Sequence, residues 1–178
     1  MKILHIDCGR VFRGGQRQAL ILHKELVRKS LQSYFLCNRY GNLFKMDFEN
    51  KYALSFHNEL GLKSYLNLYK FLKIYKPDII QVHEAHGLGL AVFATLNYKI
   101  PIVSTRRVDF PIRKHFINKL KYNKSNIIKW VAISDAVKKS LINFGVDSDK
   151  IIKIYSASDV INAKIQKSNL EMINVKYH

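Results

Sequence analysis

The stretch Lys2-Ile3-Leu4-His5-Ile6-Asp7-Cys8-Gly9-Arg10-Val11-Phe12-Arg13-Gly14-Gly15-Gln16 decides the fold. Lys2 to Asp7 reads as a strand and Cys8 to Gly15 as a glycine-bearing loop. From Gln16 to about Lys29 the apolar residues Ala19, Leu22, Leu26 and Val27 fall at helical spacing. The same order returns downstream. Asp78 to Val82 is a short apolar strand entering the loop His83-Glu84-Ala85-His86-Gly87, and the apolar stretch to Tyr98 fits a buried helix before Pro101 and a strand over Ile102 to Thr105. Strands alternating with helices predict an α/β domain with a mostly parallel, doubly wound sheet and helices on both faces.

The remaining elements follow the same alternation. A strand at about Ser33 to Cys37 precedes the Arg39-Tyr40-Gly41-Asn42 turn, and a weaker one runs from Tyr52 to Phe56. Leu62, Tyr65, Leu66, Tyr69, Leu72 and Tyr75 mark an amphipathic helix that stops where Lys76 meets Pro77. Ile127 to Ile133 contains a strand, Ser134-Asp135 opens a helix through Phe144 with Gly145 as its terminator, and Ile151 to Tyr155 closes the series. The domain spans 1–159; residues 160–178 lack a helical or strand period and read as a tail or a truncated inter-domain segment.

Composition narrows the function. The 178 residues carry 30 Lys and Arg against 13 Asp and Glu, a net charge of +17, with 48% hydrophobic residues and only two cysteines. A core of this size needs no disulfide framework. The longest apolar run falls short of the roughly 20 residues of a membrane span, and the N-terminus lacks a signal-peptide pattern, so a cytoplasmic chain is expected. The charge favours an anionic partner, whether nucleic acid, membrane surface or phosphorylated ligand. No helix-turn-helix or aromatic RNA-binding motif accompanies it, which argues against nucleic acid.

Ligands of doubly wound sheets bind outside the carboxyl ends of the strands, and three loops fall there. In the first, Gly14 and Gly15 permit close backbone approach at a helix N-terminus with Arg10 and Arg13 nearby, or simply make a tight turn. Its spacing matches neither the dinucleotide fingerprint nor the P-loop, since Gly15 and Gln16 stand where the P-loop needs lysine and a hydroxyl. In the second, His83, Glu84 and His86 suit sugar hydroxyls, proton handling or internal hydrogen bonding; they lack a third defined metal ligand, and no metal site is expected. In the third, Arg106 and Arg107 suit phosphate or carboxylate recognition, or an internal ion pair with Asp109.

With these loops placed, the chain resembles the N-terminal domain of glycosyltransferase family 4, enzymes of the GT-B architecture with two Rossmann-like domains facing a cleft. The resemblance rests on Lys2 to Ile6, Gly14-Gly15 before a helix, Asp78 to His83 with His86, Ile102 to Pro111, and Val131 to Val137 with Gly145-Val146 and Lys150 to Tyr155. Ile102 to Pro111 is similar to bacterial members that build lipopolysaccharide and related surface glycans. Ala157-Ser158 before Asp159 depart from the family's usual Asn-Gly. The family's donor-binding C-terminal domain has no counterpart in these residues.

The resemblance implies the acceptor side of a retaining, metal-independent transfer from a nucleotide-sugar donor, itself a substrate rather than a tightly bound cofactor, to a glycan or lipid-linked acceptor. It implies catalytic roles for His86, Arg106, Arg107 and Asp109, donor contacts from Arg13, Gly14 and Gly15, and acceptor contacts from His83, Glu84 and His86. A donor domain on a separate chain would complete the enzyme, and this half alone would be inactive. The rival reading is a noncatalytic α/β module binding a glycan or phosphorylated ligand.

One further segment bears on location. Between Pro111 and Tyr122, Ile112, Phe116 and Leu120 fall at four-residue steps among Arg113, Lys114, Lys119 and Lys121. That pattern suits a helix lying on the anionic inner face of the cytoplasmic membrane, or a solvated helix covering the core.

Overall fold

A computed structural model describes residues 1–56, 61–96 and 98–157. The expected junction at Asp159 and the segment 160–178 lie outside the described residues. Seven strands, β1 (Lys2–Asp7), β2 (Gln32–Asn38), β3 (Lys51–Leu54), β4 (Ile79–Val82), β5 (Ile102–Arg106), β6 (Ile127–Ala132) and β7 (Ile151–Lys153), form one sheet in the order β3-β2-β1-β4-β5-β6-β7. Every pairing is parallel. The sheet is therefore doubly wound: the chain steps outward from β1 through β2 to β3, crosses back to β4, and steps outward the other way.

Among the described residues six α-helices connect the strands: α1 (Gly14–Arg28), α2 (Asn42–Lys45), α3 (Leu62–Tyr75), α4 (Ala85–Ala94), α5 (Phe116–Tyr122) and α6 (Asp135–Phe144). Right-handed crossovers place α1 and α2 on one face and α3 to α6 on the other. The contacts agree, with α1 on β1 and β2, α4 on β4 and β5, and α6 on β6 and β7. Among the described residues the first face carries helix only over β1 to β3, and Ile152 and Ile154 toward the far edge are about half exposed (47% and 50%).

Helix ends follow local chemistry. The Ser134 hydroxyl caps α6 by accepting the Val137 N–H at 3.2 Å, and Gly145 ends it at φ 105°. Lys76 ends α3 in the left-handed region at φ 45°, immediately before Pro77. Several boundaries differ from the sequence reading: α1 begins at Gly14 rather than Gln16, β3 spans Lys51–Leu54, and β7 ends at Lys153. α4 stops at Ala94, where Thr95 turns its hydroxyl back onto the Ala91 carbonyl at 2.7 Å. A short α2 follows the Gly41 turn, its Asn42 N–H tied to the Arg10 carbonyl at 2.9 Å. α5 begins only at Phe116, so Pro111 to His115 lead into it without helix.

The core on the α3–α6 side is apolar and centres on fully buried residues such as Leu4, Ile80 and Trp130. Beneath α1 it is partly imidazole. His5 stacks on Phe35 (5.5 Å) and His83 (5.2 Å) and meets the ring of His23 edge-on (5.7 Å). His23 is held between the Ser33 hydroxyl at 2.7 Å and the Glu49 carbonyl at 2.9 Å. Burial, reinforced by the neighbouring imidazole of His23, pushes His5 down to about 3. Burial also drives His83 well below its ordinary value and lowers His23.

These shifts fix a pH dependence. An unfolded histidine takes up a proton near pH 6.5, whereas folded His5 stays neutral down to about 3, so between these values the unfolded chain binds more protons. The contribution of these histidines to stability is fully present above pH 6.5 and is lost as the pH drops below it. The loss is about 1.4 kcal/mol per pH unit for each histidine kept neutral. Urea unfolding at pH 7, 6 and 5 reads this directly, and a flat profile would contradict it. Gly145→Ala, forced into a left-handed backbone, is expected to lower urea stability by about 1 kcal/mol, with Gly145→Asn costing less.

Candidate functional site

The loops following β1, β4 and β5 converge on one cavity of about 500 Å³. Its wall includes Asp7, Arg10, Arg13, Gly15, His83, Glu84, Arg106 and Arg107, and its apolar side is Leu88, Tyr122 and Trp130. The three loops singled out in the sequence thus meet at the carboxyl end of the sheet.

Two carboxylates support this cavity by holding backbone. Glu84 caps α4, its oxygens accepting the N–H groups of Cys8 (3.1 Å), His86 (2.6 Å) and Gly87 (2.5 Å). It therefore ties the loop after β1 to the helix after β4. Asp7 accepts from the Gly9 N–H and the Gln16 side-chain amide, each at 2.9 Å, while the side-chain Oε1 of Gln16 accepts the Arg13 N–H at 3.2 Å. Burial raises both carboxyls above their ordinary range. For Glu84 the charge of Asp7 adds to the rise, and for both groups the N–H bonds oppose it.

His83 is buried and points into the fold. Its carbonyl accepts from the Arg107 guanidinium at 3.0 Å, its Nδ1 faces the other guanidinium nitrogen at 3.4 Å, and its Nε2 meets His5 Nδ1 at 2.9 Å. A guanidinium only donates, so His83 Nδ1 accepts and its Nε2–H donates to His5. Arg107 lies across Gly15, where an added Cβ would come within 3.1 Å of the arginine Cδ. Burial lowers the Arg107 pKa, partly offset by the charge of Asp7. Arg106 turns the other way, donating to the Tyr122 hydroxyl (3.2 Å) and the Phe110 carbonyl (2.6 Å).

Other expected residues fall outside this wall. Gly14 is exposed at the first turn of α1. His86 is exposed, its ring tilted against Phe56 at 6.1 Å. Asp109 is exposed and borders a separate groove with Ile112, Lys139 and Phe144. The alternative of an internal ion pair between Asp109 and one of the two arginines is not realised, because Arg106 takes the Phe110 carbonyl and Arg107 takes His83.

The cationic segment also departs from its expected pattern. Arg113, Lys114, Phe116, Lys119 and Leu120 are exposed, but Lys121 is buried and donates to the Ala85 carbonyl at 3.4 Å. Lys121 is therefore corrected from a surface residue to a packing one, because the last turn of α5 faces the core. Ile112 packs against the core from the non-helical lead-in.

Asp7, Gln16, Tyr122 and Trp130 were not foreseen as site residues. The Gln16 role had a signal, since glutamine three residues after the residue that starts a helix is the capping-box position. Tyr122 and Trp130 had none, because their rings stack at 4.7 Å only after α5 folds over β6.

Comparison with known proteins places this geometry. The profile of glycosyltransferase family 4 matches residues 12–160. No curated protein sequence matches. A crystal structure of Anabaena Alr3699/HepE in complex with UDP is 18% identical with a TM-score of 0.72, over 90% of this chain and 45% of that one. A glycosyltransferase from Rickettsia africae ESF-5 is 22% identical with a TM-score of 0.71, over 86% of this chain and 42% of that one. The lipopolysaccharide outer core galactosyltransferase WaaB in its apo form is 20% identical with a TM-score of 0.67, over 87% and 45%. The chain thus spans less than half the length of these three proteins, sharing the fold of one Rossmann-like half of a GT-B enzyme. On the breadth of the profile match, the chain belongs to glycosyltransferase family 4.

Proposed function

We propose that this chain forms the acceptor side of a retaining glycosyltransferase site that moves a sugar from a nucleotide-sugar to a glycan or lipid-linked acceptor. The observation that carries the reading is the cavity formed by the loops after β1, β4 and β5 in a chain of this family. The UDP bound to the HepE structure supports a nucleotide-linked donor, and the likeness to WaaB supports a surface-glycan acceptor. A donor-binding domain forms the opposite wall of the cleft.

In the reaction the bond from the anomeric carbon to the donor phosphate breaks and a bond to an acceptor oxygen forms. The acceptor proton passes to the departing phosphate along a front-face route, without a metal. Positive charge on the sugar and negative charge on the diphosphate develop together, and fixed N–H groups and arginines are suited to the latter. The first turn of α1 offers the Gly14 and Gly15 N–H groups toward the cleft. Arg13 supplies positive charge beside it.

Orientation of two substrates accounts for on the order of 7–11 kcal/mol of a barrier, so this half alone is expected to show no measurable transfer. Mixing it with a donor-domain chain of the same family and a radiolabelled nucleotide-sugar is expected to restore transfer. Ligand binding without turnover in every pairing would instead favour a noncatalytic module.

The exposed Phe110 (72%), Phe116 (74%) and Leu120 (47%) lie among Arg113, Lys114 and Lys119. We infer that this surface docks on the anionic inner face of the cytoplasmic membrane, each basic residue adding about 1 kcal/mol. Among the described residues no helix is long and apolar enough to cross a membrane. In flotation assays the chain is expected to rise with vesicles containing anionic lipid and not with neutral ones. Lys114→Glu with Lys119→Glu should abolish flotation, and lipid-independent behaviour would remove the idea.

A further inference from the structure

Four arginines line the cavity, and two of them are anchored on its floor. Arg106 is held by the Tyr122 hydroxyl and the Phe110 carbonyl, and Arg107 by the carbonyl and Nδ1 of His83. All these acceptors are neutral. Among the described residues no ion pair joins either guanidinium to a carboxylate. The Nε of each is shut off from solvent and has no hydrogen-bond partner.

This arrangement is unusual for a cation. A buried charge is ordinarily paired, and a buried lysine escapes the penalty by losing its proton, but a guanidinium keeps its charge at any working pH. Asp7 lends its field to Arg107, yet its Oδ1 is taken up by Gly9 and Gln16. Glu84 is taken up by three N–H groups. The cavity floor therefore holds two permanent charges whose hydrogen bonds go only to neutral atoms, and Asp7 acts on Arg107 by its field without an ion-pair contact.

We propose that Arg106 and Arg107 form an oxyanion site for a phosphoryl group carried by the acceptor, so that this half selects phosphorylated over neutral sugars. The proposal rests on the acceptor-side reading given above. A phosphoryl dianion matches two fixed guanidinium groups better than a monoanionic carboxylate does. Depth assigns the anion to the acceptor. Arg106 and Arg107 are partly buried on the floor, whereas Arg13 and Gly14 are exposed at the rim that faces an opposite wall. His83 is the positioning residue, since it directs Arg107 through two acceptor atoms.

Titration calorimetry on the full 178-residue chain, with glucose 6-phosphate, glucose and UDP as probes, tests the site. Glucose 6-phosphate is expected to bind at least tenfold more tightly than glucose. Arg106→Gln and Arg107→Gln should each reduce the preference for glucose 6-phosphate over glucose about tenfold, and Arg17→Gln, an exposed charge control on α1, should leave that preference unchanged. Thermal melts establish folding, and Arg106→Lys and Arg107→Lys keep the charge but lose the fork, giving intermediate losses should a glutamine variant fail to fold. Equal binding of the two sugars, no binding of glucose 6-phosphate, or variants that leave the preference intact would overturn the site. UDP binding that alone depends on the two arginines would assign the anion to the donor and overturn the acceptor assignment. Failure of sugar transfer in the two-chain mixture with the phosphate preference intact would overturn the transferase reading and leave the site standing.

Discussion

Parallel pairing is the constraint on which the rest depends. Because all seven strands run the same way, every carboxyl end and every loop that follows one lies at the same edge of the sheet. The reversal between β1 and β4 then opens a gap at that edge, because α1 leaves toward one face and α4 toward the other. Residues far apart in sequence, Asp7, Glu84 and Arg107, are brought to one cavity by topology alone. Cys8 and Cys37 are both buried and are not joined in a disulfide.

Within the cavity, the carboxylates and the arginines do different work. Asp7 and Glu84 turn inward and hold the backbone of the first loop through Gly9 and Cys8. Each carboxyl is raised by its burial and kept in place by N–H donors, which occupy both Glu84 oxygens and Asp7 Oδ1. The arginines are held by neutral atoms and keep their charge for the cavity. The buried neutral histidines serve the same end, since a protonated His83 would lose the acceptor that directs Arg107.

Much of this was legible in the sequence, for reasons that can be named. Strand β1 is buried on both faces, β4 and β5 are buried to half-buried, and all three are flanked by glycine, proline or polar turns, so their apolar runs stand out. Gly145 and Ser134 marked α6 because cap chemistry is local. The loops after β1, β4 and β5 were identifiable because strand ends are where such sheets bind. What could not be read was direction. His83 alternates inward into a stack with His5 and Phe35, Lys121 falls on the core side of a helix that starts later than its spacing implied, and Asp109 leaves the cavity once Arg106 takes the Phe110 carbonyl. Each outcome depends on a partner distant in sequence or on a helix start that spacing does not fix.

The segment from Arg106 to Trp130 joins two properties that the sequence presents separately. Its exposed side carries Phe110, Phe116 and the cations around them, and its inner side ends in Tyr122, which stacks on Trp130 at 4.7 Å and receives a hydrogen bond from Arg106. A displacement of α5 would carry Tyr122 with it, and Arg106 would lose one of its two anchors while the Phe110 carbonyl, in the same segment, shifted the other. Surface contact and cavity geometry therefore rest on the same few residues. A substitution at Tyr122 would reach both the basic surface and the floor of the site, whereas one at Arg107, anchored through His83 to β4, would reach only the floor.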